Sequence, residues 1–225
     1  MDRRQRKLEK NKKKRQIANK RARADATQKP TPEQRALALG ARSPFGRCAI
    51  SLGWKDEESL PELVTAVVTR ALPDGTLLPV IALVDRTCLG VKNAFVAPPL
   101  AASDLEALLD EIGRPHGGWE ASEPLVVQSL VFNAIDYARR LGFEPHPDFP
   151  AELFGPRPPE LQKTPWHAAA RPFCVASPDD DVVRIRARLT AAVGEGNFDL
   201  ITRSALLPAD DADEDADADD LQLNA

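Results

Sequence analysis

Residues 63–84 read LVTAVVTRAL PDGT LLPVIALV. Two aliphatic, β-branched runs flank Pro73-Asp74-Gly75-Thr76. Branched side chains suit a pleated, half-buried surface. Pro presets φ in a turn, and Gly tolerates the positive φ that tight turns demand. The stretch therefore predicts an antiparallel hairpin, Leu63–Leu72 against Leu77–Val84. Pro79 has no N–H to give to a ladder, which predicts an edge or a bulge in that part of the second strand.

Outward from the hairpin, strands and helices mix. Upstream, Cys48–Leu52 reads as a short strand, and Thr31-Pro32-Glu33 starts a short helix that Gly40 stops. Downstream, Ser103-Asp104-Leu105-Glu106 caps a helix ending near Gly113. Ser122-Glu123-Pro124 opens the longest helix, which runs to Leu141. Ser is a good N-cap, an acid suits the helix dipole and Pro fits the first turn. Val126, Leu130, Ile135, Ala138 and Leu141 keep helical spacing, and Gly142 is the stop. Residues 143–172 form a Pro-rich connection with a short helix at Ala151–Phe154. Phe173–Ala176 is a strand, Ser177-Pro178-Asp179 caps a helix over Asp180–Val193, and Phe198–Thr202 is a last strand. There is no regular βαβ rhythm. The expectation is an α+β two-layer sandwich with a small, mostly antiparallel sheet. One domain over residues 43–207 is expected between a disordered or conditionally helical arm (1–42) and a disordered tail (208–225).

The two ends differ sharply in charge. Residues 1–29 hold 13 Lys/Arg and 3 Asp/Glu, while residues 208–225 hold 8 Asp/Glu and no Lys/Arg. Like charges at i,i+4 oppose a free helix in the arm, so helix is expected only on a polyanion. Arg3, Arg4, Arg6, Lys7, Lys10, Lys12, Lys13, Lys14, Arg15, Lys20, Arg21 and Arg23 are the candidate nucleic-acid contacts. Counterion release makes such a block bind phosphate chains almost irrespective of sequence. The arm has no aromatic residue to stack on bases. The acidic tail mimics a polyanion and is expected to compete for the arm within one chain. Three scattered cysteines, Cys48, Cys88 and Cys174, fit neither a disulfide framework nor a zinc knuckle. With no apolar run long enough for a signal peptide core or a membrane span, the expected compartment is the cytoplasm.

Two core stretches carry candidate chemistry. In Leu83–Lys92 (LVDRTCLGVK) a strand ends at an acid and a Gly-containing loop follows. Asp85 is the candidate base or metal ligand, Cys88 the candidate nucleophile and Lys92 the candidate anion contact. The competing structural reading makes Asp85 the cap of a turn and Cys88 a buried, inert thiol, since no His lies close in sequence to activate it and nothing shows the depressed thiol pKa that reactivity needs. In Tyr137–Phe149 (YARRLGFEPHPDF), Glu144, His146 and Asp148 alternate on a proline-held loop. They are candidate ligands for a divalent ion, or a His oriented by a carboxylate. The competing reading is a helix exit anchored by Phe143 and Phe149. Asp179-Asp180-Asp181 fits the first turn of a helix better than a cation site. Gly194-Glu195-Gly196 is a helix stop, with no strand ahead of it as a dinucleotide loop requires, so no cofactor is expected. Arg184, Arg186 and Arg188 are spaced i,i+2 and do not share one tight face. His116 and His167 lie in connections and carry little signal.

Leu83–Lys92, Tyr137–Phe149 and Pro172–Leu200 (PFCVASPDDDVVRIRARLTAAVGEGNFDL) together resemble a group of bacterial proteins with no assigned activity. The resemblance implies kinship over most of residues 60–203 and transfers no catalytic role. Members of that group tend to have Gly where this chain has Ser177. The function expected from the residues is a nucleic-acid- or ribosome-associated binding protein that is not an enzyme. One alternative is a metal-dependent hydrolase or nuclease using Asp85 with Glu144, His146 or Asp148. The other is a protein-interaction module.

Overall fold

The computed structural model describes residues 31–56, 63–162 and 171–202. Residues 1–30 with all the candidate nucleic-acid contacts, His167 and the acidic tail lie outside the described residues.

The hairpin is the centre of the fold. Strands β2 (Leu63–Ala71) and β3 (Leu77–Asp85) pair antiparallel without a break from Leu63↔Asp85 to Ala71↔Leu77. Gly75 takes φ +86°, and Asp74 Oδ1 accepts from Thr76 N at 3.0 Å and Thr76 Oγ1 at 2.7 Å, so the turn closes on its own side chain. β1 (Phe45–Ser51) pairs with β2, and β4 (Gly90–Val96) pairs with β3. β5 (Trp119–Ala121) adds to β1, giving the order β4-β3-β2-β1-β5 with every neighbour antiparallel. Pro79 thus sits in an interior strand, not at an edge. It fits because β4 pairing ends at Val96↔Val80, and Pro79 O accepts from Ala97 N, 3.0 Å away. Past Val80↔Val96 the β3–β4 ladder asks for no N–H from Pro79. On the β2 side the register is intact.

Helix α1 (Pro32–Gly40) begins with a capping box: Gln34 N donates to Thr31 Oγ1 and Thr31 N donates to Gln34 Oε1. Ala36, Gly40 and Ala41 pack on the core, so the folded body starts ahead of residue 43. Helix α2 (Ala102–Gly113) covers part of one sheet face through Leu105 and Leu109 on Val67 and Ile81. Its N-cap is Ala101, and Ser103 lies inside the first turn. Helix α3 (Pro124–Arg140) covers the other face. Its N-cap is Glu123, with no side-chain cap bond, in place of the expected Ser122. Val127, Leu130, Val131, Ala134 and Ile135 bury against Ile50, Val64, Ala66, Val68, Val80, Ala82 and Val84. Alternate residues of the strands and every third or fourth of the helix meet there, as their periods require. The sheet and α3 are the two principal layers of a mixed α+β fold.

Polar side chains pin the Pro-rich connection to this body. Gln128 Nε2 donates to Phe154 O of the short helix α4 (Ala151–Phe154) at 2.7 Å, and Ser129 Oγ accepts from Gln162 N at 2.9 Å. Buried Arg70 donates from Nε to Leu153 O at 2.8 Å and from Nη1 to Ser43 O at 2.9 Å.

The C-terminal part is a single βαβ unit. β6 (Phe173–Ala176) and β7 (Asp199–Thr202) pair in parallel, and α5 (Val182–Val193) connects them. This unit forms a small core of its own against the tip of the β3–β4 hairpin and the end of α3. Cys88, Ala138, Leu141, Phe143, Cys174, Ile185, Leu189 and Phe198 are buried together.

Candidate functional site

The β3–β4 turn is built around Asp85. Its Oδ1 accepts from Thr87 N and Cys88 N, both at 2.9 Å, and from Thr87 Oγ1 at 3.1 Å. Only 2% of the residue is exposed, and burial raises the carboxyl above its ordinary range despite those donors. Gly90 closes the turn at φ +73°. A Cβ there would lie 2.8 Å from Ala138 Cβ and 3.0 Å from Ala134 O, so the turn needs Gly to lie against α3. Arg86 is buried beside it and donates to Trp54 O at 2.8 Å, and burial lowers its pKa to about 10. Cys88 is fully buried. A hydrogen bond with Cys174, then burial and the Asp85 charge, push its thiol far above the ordinary range. A thiol so held is a poor nucleophile. Asp85 and Cys88 are therefore parts of the turn, beneath the surface at which His146 lies.

One residue further on, the β3–β4 register slips between Leu83↔Asn93 and Val84↔Val91, which leaves Lys92 as the extra residue of a β-bulge. A bulge re-aims a side chain. Lys92 Nζ reaches the βαβ unit, 2.6 Å from Asp180 Oδ2, 2.9 Å from Ser177 Oγ and 3.5 Å from Val175 O. Asp180 Oδ2 also accepts from Ser177 N at 2.6 Å, and Asp181 Oδ1 accepts from Arg184 N at 2.9 Å as the N-cap of α5. Capping thus falls to Asp181, not to Ser177. Ser177 lies in the turn ahead of the helix.

The 143–149 loop docks on β4 through His146 N and Val91 O, 2.9 Å apart. Arg188 ties it to α5: Nη1 donates to Gly142 O at 2.8 Å, and the guanidinium lies 5.4 Å from the Phe143 ring centroid. Between β4, this loop and α5 lies a cleft of about 430 Å³. Leu89, Val91, Phe143, Pro145, Pro147 and Ile185 supply its apolar wall, and Lys92, Glu144, His146, Asp180, Asp181, Arg184 and Arg188 its polar wall. Residues from Leu83–Lys92, Tyr137–Phe149 and Pro172–Leu200 all line it.

The three suggested metal ligands do not converge. Glu144 turns to Arg139 Nε at 2.9 Å, and Asp148 N donates to His146 Nδ1 at 3.3 Å while its carboxylate stays 3.8 Å away. Among the described residues no group of three or more His, Cys, Asp or Glu side chains is arranged to hold a metal ion. Asp179 is exposed beside the cleft, and His116 Nε2 lies 3.4 Å from Thr65 Oγ1, away from it. Arg186 pairs with Glu195 at 3.5 Å. The pair that the i,i+2 description of this helix hid is Arg184 and Arg188. Their i,i+4 spacing, legible in the sequence, puts both on the cleft.

Fold and cleft define an α+β protein with a cleft at the seam between an antiparallel sheet and a parallel βαβ unit. No family model matches the chain, and no curated protein or solved structure matches it. Among the described residues no helix is long and apolar enough to cross a membrane.

Proposed function

We propose that this chain is a cytoplasmic nucleic-acid- or ribonucleoprotein-associated binding protein whose N-terminal arm supplies the affinity. The carrying observation is charge segregation: 13 Lys/Arg and 3 Asp/Glu in residues 1–29, against 15 Lys/Arg and 20 Asp/Glu in the described body. An acidic body repels phosphate chains at long range, so the arm has to provide the attraction. A binding role is further supported by the commitment of Asp85 and Cys88 to the buried turn, where neither reaches a substrate. The acidic tail, with 8 Asp/Glu in residues 208–225, competes with nucleic acid for the arm.

The test is binding of the full chain to single-stranded RNA and to duplex DNA over a salt series. Affinity should fall steeply with salt, with a log–log slope of roughly −0.7 to −0.9 per phosphate contacted. Removing residues 1–29 should abolish it, and removing 208–225 should tighten it at low salt. Unchanged binding without the arm would overturn the proposal.

A further inference from the structure

We propose that the cleft between β4, the 143–149 loop and α5 is a phosphate site, taking a phosphomonoester carried on a body of nucleotide size. It does not rest on the arm and would stand if the arm bound nothing.

Two arginines of the cleft wall have no ion-pair partner among the described residues. Asp180 faces Lys92 Nζ at 2.6 Å, and Glu144 faces Arg139 Nε at 2.9 Å. Asp181 is engaged by the N–H of Arg184 at the start of α5, where the helix dipole also favours an anion. Every carboxylate on the cleft wall thus has its cationic or N–H partner. The arginines do not have theirs. Arg184 makes no side-chain hydrogen bond or ion pair with another described residue, and Arg188 contacts only a neutral carbonyl and a ring. Arg184 and Arg188 lie one helical turn apart on one wall, neither is ion-paired with a carboxylate among the described residues, and together they can close on one anionic group. A phosphomonoester carries about −1.5 to −2 at neutral pH. Guanidinium forks match its oxygens in pairs.

Size and lining fit the rest of such a ligand. The cleft's volume of about 430 Å³ is within the range of small-molecule sites. Leu89, Val91 and Ile185 line the cleft and can take the flat, weakly polar part of the ligand. His146 lines the same cleft, with its Nδ1 already accepting from Asp148 N, which leaves Nε2 as its donor in the neutral ring.

Adenosine 5′-monophosphate is a suitable probe, titrated calorimetrically into the full chain at low salt, with adenosine as the phosphate-free control. One saturable site is expected for the nucleotide and none for adenosine. Arg184→Ala should weaken binding roughly tenfold or more, the scale of lost charge-assisted hydrogen bonds. Arg186→Ala removes the same charge from the same helix but does not touch the cleft, and should leave binding within twofold. It separates the cleft from general attraction and from any contribution of the arm. Among the described residues the Arg184 side chain has no structural partner to lose, so its variant should melt as the wild type does. The proposal is overturned if no saturable binding occurs at millimolar nucleotide, if adenosine binds equally well, or if the two variants weaken binding equally.

Discussion

The two cores of this protein are built on different terms. The main core buries residues from four strands, α3 and α4, and its central hairpin is paired over its whole length. The seam core holds eight buried residues under a two-stranded parallel sheet and one helix. Two strands and a 12-residue helix are marginal alone in water. The βαβ unit therefore depends on its docking: the apolar contact of Cys88 and Phe143 with Cys174 and Leu189, the Lys92–Asp180 pair, and Phe173 N on Thr87 O at 3.3 Å. The lesson is that the cleft belongs to neither part. Its walls exist only while the weaker core is docked on the stronger.

The sharpest way to break this comparison is to cut a cavity in each core. Leu130→Ala and Leu189→Ala each remove a fully buried side chain and should cost about 2–5 kcal/mol. Leu130→Ala should lower the whole transition in urea. Leu189→Ala should release the C-terminal unit first, seen as early alkylation of Cys88 and Cys174 while Cys48 stays protected. All three thiols are buried, and burial pushes that of Cys48 up to about 11. Simultaneous labelling of all three would mean one cooperative core and would end the distinction.

The next effect concerns the turn on which the unit docks. Asp85→Ala leaves the Thr87 and Cys88 N–H groups without their acceptor and should cost about 1–3 kcal/mol. Asp85→Asn keeps an acceptor oxygen and should cost less. Its advantage should also depend on pH. The folded fold favours the neutral Asp85 carboxyl, so its stabilisation is complete below the unfolded pKa of about 3.9 and is lost as pH rises through the folded value. Denaturation between pH 3.5 and pH 7 should show Asp85→Asn gaining on the wild type as pH rises, and a constant difference would refute it.

Smaller still is the strut between the cores. Lys92→Met leaves Asp180 without its cation and should cost about 1–2 kcal/mol, because both side chains are largely shielded. The loss should appear in release of the C-terminal unit, read by Cys174 alkylation, and not in the main transition. Arg186→Ala breaks an exposed pair with Glu195 and should stay within about 0.5 kcal/mol by thermal melting.

Much of the main body is legible in the sequence because its strands and helices obey simple periods. The hairpin at residues 63–84, α2, α3, α4, α5, β6 and β7 fall where pattern and turn chemistry put them, to within a few residues. β4 escapes because of its bulge. Val91 and Ala94 are buried three positions apart, so the strand does not alternate and reads as loop. β5 is only three residues long and leaves no pattern. The caps of α2, α3 and α5 are misread where Ser is present but the chain enters the helix one to four residues away. At the site, the structural reading of Asp85 as the cap of a turn and Cys88 as a buried thiol is legible and is what the structure shows, whereas the roles of Lys92 and Arg184 are not legible. Lys92 is placed by a bulge, and Arg184 acquires meaning only when α5 is laid against the 143–149 loop.

The bulge has one more consequence. A five-stranded open sheet ends in two rows of unpaired backbone groups, onto which another chain could add a strand and begin a fibre. At one margin β5 offers only three residues. At the other, β4 is kinked at Lys92, its Val91 carbonyl is already taken by His146, and Pro98-Pro99 follow with no N–H to give. The residue that ties the two cores together thus also spoils the template for aggregation. Straightening β4 by deleting Lys92 would restore both its alternation and its hazard.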